Sequence, residues 1–429
     1  MKDNIFPKKQ IFEGIRILDF TQVIAGAYGT TVMGDMGAEV VKVEPPVIGD
    51  GLRMGGPMVN GECRYFVLNN RNKKSISINL KTPEGMDIVK SLIPHFDIIT
   101  ENFKPGIMNR LGLGYEDARK LKEDIIYVSV SGFGQNNSYS DKLAYDNIVQ
   151  AESGIGYLNG REEDGRPLRV PCSISDYTAA IYSAFSMASA IHYREKTGKG
   201  QYIDIAMYDS LLSIMDNSFI IYQTKKECLH TEEDFIKFGL KSNGNRHSGA
   251  PVHGFYRTKD GAVGHMLMQN EVWYRLLKLV GREDLIGDPR YEEPDTRKAR
   301  YKETEEIVEA WTTQHTTAEV VEKFKEYRLA VGPVRTIDQA YENPHNAERG
   351  IFHEIDHPVA GKFNITNVPI KFSETPPQIK TPSPLLGQHN EQILHDILGY
   401  DEEQIAEFKS KGILYEQEAE KKEDLMSAA

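Results

Sequence analysis

Short apolar runs alternate with amphipathic stretches through the first half of the chain, at the spacing of strands and helices. Strands are predicted at 15–20, 39–44, 75–80, 97–100, 125–130 and 201–207. Such alternation predicts an α/β domain with a mostly parallel sheet. Ligands of these sheets bind beyond the carboxyl ends of the strands, so the turns at 21–29, 101–106 and 131–135 are expected on one rim.

The stretch 171–212 contains a predicted helix that is apolar on most of its circumference. Its residues 177–193 are mostly Ala, Ser, Ile, Phe and Met, which predicts a helix buried on nearly all sides. Gly198 ends the helix, and a strand follows. Asp176 lies where the helix opens. Since Asp is a favourable N-cap residue, a capping role would by itself account for this carboxylate.

The pattern changes after Leu212 and again near Thr336. A hairpin is predicted at 255–268, with its turn at Lys259-Asp260-Gly261, and helices near 271–281, 301–314 and 317–327. From Thr336 onward we expect strands near 351–356 and 364–370 and a last, helical stretch over 390–411. These changes predict a smaller α+β unit within the chain.

Charge and composition exclude several classes of function. The 51 basic and 63 acidic residues give a net charge of −12, which disfavours nucleic-acid binding. No window approaches the ~18 apolar residues of a membrane helix, and the N-terminal segment lacks the apolar core of a signal peptide. The three cysteines lie far apart, so we expect a reducing cytoplasm and no metal site.

The unit at 15–44 has the strand–helix–strand pattern of a dinucleotide-binding site, but not its glycine pattern. Aligning Gly26 and Gly29 with the last two glycines of GxGxxG puts Ile24 at the first. The sequence therefore disfavours nicotinamide binding.

Several motifs, in order, resemble the class III CoA-transferase family of the CaiB/BaiF type, which includes formyl-CoA and crotonobetainyl-CoA:carnitine CoA-transferases. They are GIRILDFTQVIAG, MGAEVVKVEPPVIGD, NRNKKSISINLKTPEG, DIITENFKPG, SVSGFGQ, AYDNIVQAESG, REKTGKGQYIDIAMYDSLL, DPRY and PLLGQHN. The resemblance covers nearly the whole chain.

This resemblance implies an enzyme that transfers coenzyme A from an acyl-CoA to a small carboxylic acid. Asp176 occupies the position of the family's nucleophile, which forms an acyl-aspartyl anhydride and then an aspartyl-CoA thioester. The helix dipole is expected to favour its ionised form, and nearby backbone donors to hold the oxyanion. Coenzyme A enters as substrate, and no permanently bound cofactor is implied.

The resemblance also implies an interlocked, ring-like homodimer with a Rossmann-like large domain and an inserted smaller domain. We assign 1–215 to the N-terminal part of the large domain and 216–240 to a linker. Residues 241–335 form the small domain, and 336–429 a linker and the C-terminal part of the large domain.

The expected contacts with coenzyme A follow from the same resemblance. Lys73 and Lys74 have an equally good explanation as a solvated turn. Arg110 could form a surface ion pair, Asn102 could cap a turn, and Tyr145 could belong to the core. The full set is Gln22, Val23, Ile24, Ala25, Lys73, Lys74, Asn102, Phe103, Arg110 and Tyr145.

Three departures from the formyl-CoA members argue against oxalate as acceptor. Ile24 replaces a glutamine, Pro45 replaces a CoA-contacting arginine, and the loop 243–249 lacks the tetraglycine lid. By its position in that loop, Arg246 is expected to hold a second carboxylate or polar group of the acceptor.

Two other functions remain open at this level. An α-methylacyl-CoA racemase would share the fold, but racemases of this type have a His where this chain has Tyr145 before Asp146. Proton transfer needs a pair of acid–base groups, for which Tyr145 is a poor substitute. The other alternative is a non-catalytic protein that binds CoA or a nucleotide.

Overall fold

The computed structural model describes residues 10–161, 163–215, 217–231, 234–235, 238–242, 244, 252–267 and 269–417. Within these residues the chain divides into two compact units. The first comprises the described residues of Met1–Val149, Cys172–Ser213 and His345–Ala429, and the second those of Gln150–Pro171 and Ile214–Pro344. The segment 150–171, assigned from sequence to the large domain, therefore groups with the second unit.

The first unit is built on a parallel sheet, as predicted. Its strands are β1 (Arg16–Asp19), β2 (Glu39–Glu44), β5 (Lys73–Ser77), β6 (Ile98–Glu101), β7 (Ile126–Ser131) and β8 (Tyr202–Ala206). Their order is β5-β2-β1-β6-β7-β8, and each neighbouring pair is parallel. This is the strand order of a Rossmann fold, with the direction of winding reversed between β1 and β6.

Helices join the strands of this sheet. They are α1 (Ala27–Asp35), α2 (Arg64–Asn70), α3 (Pro83–Leu92), α4 (Ile107–Arg110), α5 (Tyr115–Leu121), α6 (Asp146–Ser153, continuing into the second unit), α8 (Ile174–Thr197) and α9 (Met207–Leu212). Thr82 caps the start of α3, because its Oγ1 atom accepts a 3.1 Å hydrogen bond from the Gly85 N–H.

The connection 45–72 between β2 and β5 contains several short elements. It contains a 3₁₀ turn at Gly51–Met54, the short pair β3 (Met58–Val59) and β4 (Glu62–Cys63), and α2. These elements have only two to seven residues each, too few to establish a hydrophobic period.

The C-terminal part of the chain completes the first unit. It contains the hairpin β12 (Phe352–His357) and β13 (Gly361–Thr366), then α17 (Asn390–Leu398) and α18 (Glu402–Ser410). The helical structure predicted over 390–411 is confirmed, and it is divided into two helices. Gly399 ends α17 in a left-handed conformation (φ 72°), and the Asp401 side chain caps α18.

The second unit has its own sheet and core. Strands β9 (His253–Arg257) and β10 (Ala262–Met266) form the predicted hairpin, and β11 (Val331–Pro333) pairs antiparallel with β10. Its core is formed around the buried Trp273 and Phe324. Its helices are α7 (Ile155–Leu158), α10 (Ser218–Lys225), α11 (Asn270–Leu279), α12 (Pro294–Ala299), α13 (Tyr301–Thr312), α14 (Thr317–Glu326) and α15 (Ile337–Tyr341); α16 (Pro344–Arg349) lies at the boundary.

Helix α8 packs tightly against α1 through small residues. A Cβ atom built on Gly29 would lie 2.8 Å from the Ala180 carbonyl oxygen, so only glycine permits this approach. The prediction of burial on nearly all sides is wrong, however. One face of α8 is buried, while Ile181 and Phe185 on the other are 59% and 68% exposed.

Candidate active site

The turns after β1 and β6 meet at the point where the strand order reverses. The Gln22 N–H donates to Asn102 Oδ1 at 2.7 Å, and Asn102 Nδ2 donates back to the Gln22 carbonyl oxygen at 2.7 Å. The structure therefore brings two predicted CoA contacts together. The Asn102 side-chain amide thus fixes the turn after β1, and does not cap the turn after β6 in which it lies.

Asp176 is the third residue of α8, and Ser173 is the N-cap. Within the described part of the chain, the Asp176 carboxylate has no hydrogen-bond partner. Its predicted role as a helix cap is therefore wrong. The carboxylate is left available for other chemistry.

Asp146 satisfies the donors at the start of α8 instead. Its Oδ1 atom accepts hydrogen bonds from the Ser175 N–H at 3.0 Å and the Ser175 hydroxyl at 2.8 Å. Asp146 is itself buried, at the first residue of α6. A second carboxylate therefore anchors the residue next to Asp176.

The surroundings of Asp176 raise its pKa to about 7. Burial is the larger cause, and the negative charge of Asp146 adds to it. This is opposite to the expected effect of the helix dipole. Near pH 7 the carboxyl group is therefore divided between its protonated and ionised forms.

The turn after β1 and the start of α8 share one apolar cluster. Tyr177, next to Asp176, packs with Val23, Ile24 and Tyr28, and its ring meets the Tyr28 ring edge-on at 5.0 Å between centroids. The predicted binding turn and the predicted nucleophile therefore lie in neighbouring parts of the same unit.

The two predicted lysines have internal partners. The Lys73 ammonium is buried and donates to Asp19 Oδ2 at 2.9 Å, to the Ala27 carbonyl oxygen and to Asn70 Oδ1. Lys74 forms an ion pair with Glu39 at 2.8 Å at the amino end of its strand. The structure supports neither the solvated-turn interpretation of Lys73 nor a free ammonium there for a phosphate group.

The remaining predicted contacts differ in exposure. Phe103 packs partly buried against the core, and Tyr145 is 72% exposed, so Tyr145 is not a core residue. Arg110 is exposed at the end of α4 and has no ion pair among the described residues. Arg246 and most of the 243–249 loop lie outside the described residues.

The structure adds one candidate contact that the sequence reasoning did not include, Lys81, an exposed cation that follows β5 on the carboxyl side of the sheet. A lysine placed directly after a predicted strand was the available signal. Within the described residues, no cluster of three or more His, Cys, Asp or Glu side chains could hold a metal ion. In the same part of the chain, no helix is long and apolar enough to cross a membrane.

Comparison with known proteins gives consistent matches along the chain. The mouse (Mus musculus) succinyl-CoA:glutarate CoA-transferase is 33% identical over 410 residues, covering 95% of this chain and 91% of that protein. A formyl-CoA:oxalate CoA-transferase from Afipia carboxidovorans is 32% identical over 416 residues, covering 94% and 97%. The crystal structure of a CAIB/BAIF family protein from Brucella suis matches with a TM-score of 0.77 and 26% identity, covering 91% of this chain and 100% of that one.

The Rossmann-type sheet with an acid-bearing helix beside its central turn is thus the large unit of a CaiB/BaiF-type fold. The model of CoA-transferase family III matches residues 12–390, and the chain belongs to that family. It is therefore an enzyme, which excludes the purely binding alternative.

Proposed function

We propose that the protein transfers coenzyme A from an acyl-CoA thioester to a free carboxylic acid, with Asp176 as covalent carrier. The observation that carries the proposal is the Asp176 carboxylate, which is half-buried at the start of α8 and unpartnered within the described residues. A carboxylate that no protein group engages is free to attack an acyl carbon. Family membership supplies the reaction class.

Each step forms one acyl bond and breaks another. An Asp176 oxygen attacks the thioester carbonyl, the C–S bond breaks, and a mixed anhydride and CoA thiolate result. The thiolate then attacks the Asp176 carbonyl carbon and releases the donor acid, leaving an aspartyl-CoA thioester. The acceptor carboxylate attacks this thioester and expels the thiolate. The thiolate finally takes the acceptor acyl group and frees Asp176.

The turn after β1 supplies donors for the tetrahedral intermediates. The backbone N–H groups of Ile24 and Ala25 belong to buried residues and have no acceptor among the residues that the structure describes. Buried amides nearly always find a partner, so a ligand oxygen is a suitable one. We assign these two amides to the oxyanion.

The same turn, with Phe103 and Arg110, is our proposed contact surface for coenzyme A. Arg110 suits a phosphate group because its guanidinium is exposed and unpaired within the described part of the chain. Lys81 is the second cation that we place in this role. Both follow strands of the sheet on its carboxyl side.

For the acceptor we propose a small dicarboxylic acid. The names of two relatives, acting on glutarate and on oxalate, both specify dicarboxylic acids. The absence of the tetraglycine segment disfavours oxalate itself, and Arg246 would hold the second carboxylate. A mass-spectrometric screen of acyl-CoA donors against glutarate, oxalate and monocarboxylic acids tests this. Unchanged acceptor preference in Arg246→Ala would remove Arg246 from the proposal.

One observation favours the racemase alternative. Asp176, with a pKa of about 7, lies beside a second carboxylate, Asp146, as a general acid–base pair would. Deuterium exchange at the α-carbon of an acyl-CoA, in the absence of any acceptor acid, would favour that alternative.

The central experiment is trapping of the carrier. Wild-type protein incubated with an acyl-CoA and hydroxylamine should gain a hydroxamate on Asp176, located by peptide mass spectrometry. Asp176→Ala should lose CoA transfer by about 10³-fold or more, because the covalent path is removed. The matched control is Asp209→Ala, another acid in the first turn of a helix, which should keep its activity. Transfer at wild-type rates in Asp176→Ala would refute the assignment.

We also propose the interlocked, ring-like homodimer that the family resemblance implies. Its support is the exposed apolar face of α8, since large apolar side chains exposed together commonly mark an interface.

A further inference from the structure

The turn after β1 is held by side chains at three successive residues. The Thr21 carbonyl oxygen accepts a hydrogen bond from Lys42 Nζ, and both backbone groups of Gln22 pair with the Asn102 amide. The Val23 N–H donates to Asp50 Oδ1 at 2.9 Å. Few short turns have each residue fixed by a separate side chain, so this one is strongly preorganised.

Val23 has an unusual backbone conformation. Its φ of 62° lies in the left-handed region, which a β-branched residue adopts only when its surroundings impose it. The chain passes directly from this residue to Ile24 and Ala25, whose N–H groups have no acceptor among the described residues. The direction of these two amides therefore depends on the conformation of Val23.

Asp50 connects the turn to a buried charge network. Its Oδ1 atom accepts from Val23 and also from the Leu52 N–H at 2.8 Å, while its Oδ2 atom forms a 2.9 Å ion pair with Lys42. Both charged side chains are completely buried. Because Lys42 also donates to Thr21, one ion pair holds the turn on both sides of Gln22.

The backbone of Asp50 is held as well. Its backbone N–H donates to Glu44 Oε1 at 3.0 Å, and Glu44 forms a bidentate ion pair with Arg53, with both distances 2.8 Å. If Asp50 served only to cap the short helix through the Leu52 N–H, it would need neither Lys42 nor the Glu44–Arg53 ion pair. The network therefore has a rigidity that the local turn alone does not explain.

We propose that Asp50, paired with Lys42, is a positioning residue that holds Val23 in the left-handed conformation and so directs the Ile24 and Ala25 amides toward the reacting carbonyl. This inference rests on the proposed function, which places an acyl transfer at Asp176. Asp50 touches neither substrate nor nucleophile in this role. It acts through the backbone of the turn.

Asp50→Ala is the test, with Asp35→Ala as matched control. Asp35 forms an equally buried ion pair with Arg71 at 2.7 Å and contacts no residue of the turn in the described part of the chain. The first measurement is amide hydrogen exchange of the peptide spanning 21–26. Asp50→Ala should accelerate exchange there by about tenfold or more, and Asp35→Ala should leave it unchanged.

The second measurement separates kcat from KM in CoA transfer, well below the unfolding temperature of each variant. Asp50→Ala should lower kcat by about 100-fold, the effect of losing oxyanion donors, and raise KM for acyl-CoA by a smaller factor, because Phe103 and Arg110 lie outside the turn. Asp50→Asn keeps an acceptor oxygen for the Val23 N–H and should recover most of the rate. Asp35→Ala should retain kcat within about threefold, since its contacts lie outside the turn.

Equal kcat losses in the two alanine variants, or unchanged exchange at 21–26 in Asp50→Ala, would overturn the inference. If Asp50→Ala does not fold, Asp50→Asn and Asp35→Asn are compared instead, with a smaller difference of the same sign expected at 21–26. If wild-type protein shows no transfer while exchange responds as expected, the proposed function fails and the role of Asp50 in fixing the turn stands.

Discussion

Two neighbouring carboxylates at the start of α8 have separate roles, although the sequence suggested that one residue could have both. Asp146 occupies the free helix donors through Ser175, whereas Asp176 remains without a partner in the described residues. If Asp176 capped the helix, its carboxylate would be ionised but already hydrogen-bonded to backbone N–H groups. The observed arrangement leaves it free, and burial together with Asp146 raises its pKa to about 7.

We predict that formation of the acyl-enzyme depends on pH with an inflection near 7. The nucleophile must be ionised, so the rate should rise as pH increases through the Asp176 pKa of about 7. Asp146→Asn removes the negative charge that disfavours ionisation and should move the inflection to lower pH. Single-turnover rates from pH 5.5 to about 8.5 measure both effects.

The control for this profile is Glu101→Gln. Burial also raises the pKa of Glu101 to about 7, and its carboxylate accepts a hydrogen bond from the Phe103 N–H. An inflection that persists in Glu101→Gln does not come from Glu101, and its shift in Asp146→Asn then assigns it to Asp176. An inflection that disappears there would assign the titration to Glu101 instead.

We also predict that Asp176 lowers the stability of the fold above acidic pH. A carboxyl group whose folded pKa is raised from 3.8 to about 7 makes folding less favourable as pH rises between these values. The gain in unfolding free energy of Asp176→Asn over wild type should therefore grow by about 2.5 kcal/mol between pH 5 and 8. Urea denaturation at both pH values measures it. A gain that shrinks with rising pH would contradict the raised pKa.

The sequence could indicate a candidate nucleophile and a candidate binding turn, but not the partners of individual charges. The motifs around Asp176 and Gln22 are short continuous stretches, so they can be recognised from the sequence and from their order along the chain. The acceptor of Lys73 is Asp19, 54 positions earlier, and that of Gln22 is Asn102, 80 positions later. Such pairings exist only after the strands are arranged in a sheet.

At the scale of elements, the contact between α1 and α8 places the start of α8 next to the turn. Glycine at position 29 allows a separation that no other residue fits, because a Cβ atom there would lie 2.8 Å from the Ala180 carbonyl oxygen and 3.2 Å from Ser183 Cβ. Both neighbours belong to rigid helix structure. Neither can move without displacing α8.

Gly29→Ala is therefore expected to destabilise the protein by about 1–3 kcal/mol, as overpacking does. Gly34→Ala, in the same helix, is the matched control. A Cβ atom at Gly34 would meet Asn72 Cβ at an ordinary 3.4 Å, so the better helix propensity of Ala should stabilise the protein by about 0.5–1 kcal/mol. Chemical denaturation of both variants gives the comparison, and equal effects would contradict close packing at Gly29.

Most elements could be predicted because their hydrophobic period is local. Strand β2 was predicted with its exact bounds, and the antiparallel hairpin β9–β10 with its turn. The exposure of half of α8 could not be predicted, since its apolar residues occupy both faces. Only the packing partners decide which face is buried.

At the scale of the whole molecule, we predict that the exposed face of α8 lies in a subunit interface. Phe185→Glu would place a charge in an apolar contact and should prevent the homodimer from assembling as the chains fold, so that the expressed protein is a monomer. Leu121→Glu, at an exposed apolar residue on α5, is the matched control and should remain dimeric. Light scattering after size exclusion measures the mass. A wild-type monomer, or a dimeric Phe185→Glu, would refute the interface.

The completion of β5 by the C-terminal segment has a consequence for biosynthesis. The Ser77 N–H donates to Asn390 Oδ1 at 2.9 Å, 313 positions later, and Ile78 bridges to Leu414. During synthesis on the ribosome, β5 cannot form its contacts with the C-terminal segment until almost the entire chain has emerged. The second unit, encoded between these segments, can fold earlier. The nascent large unit therefore has an open sheet edge during translation. Contacts between residues so far apart in the sequence favour slow folding and chaperone assistance.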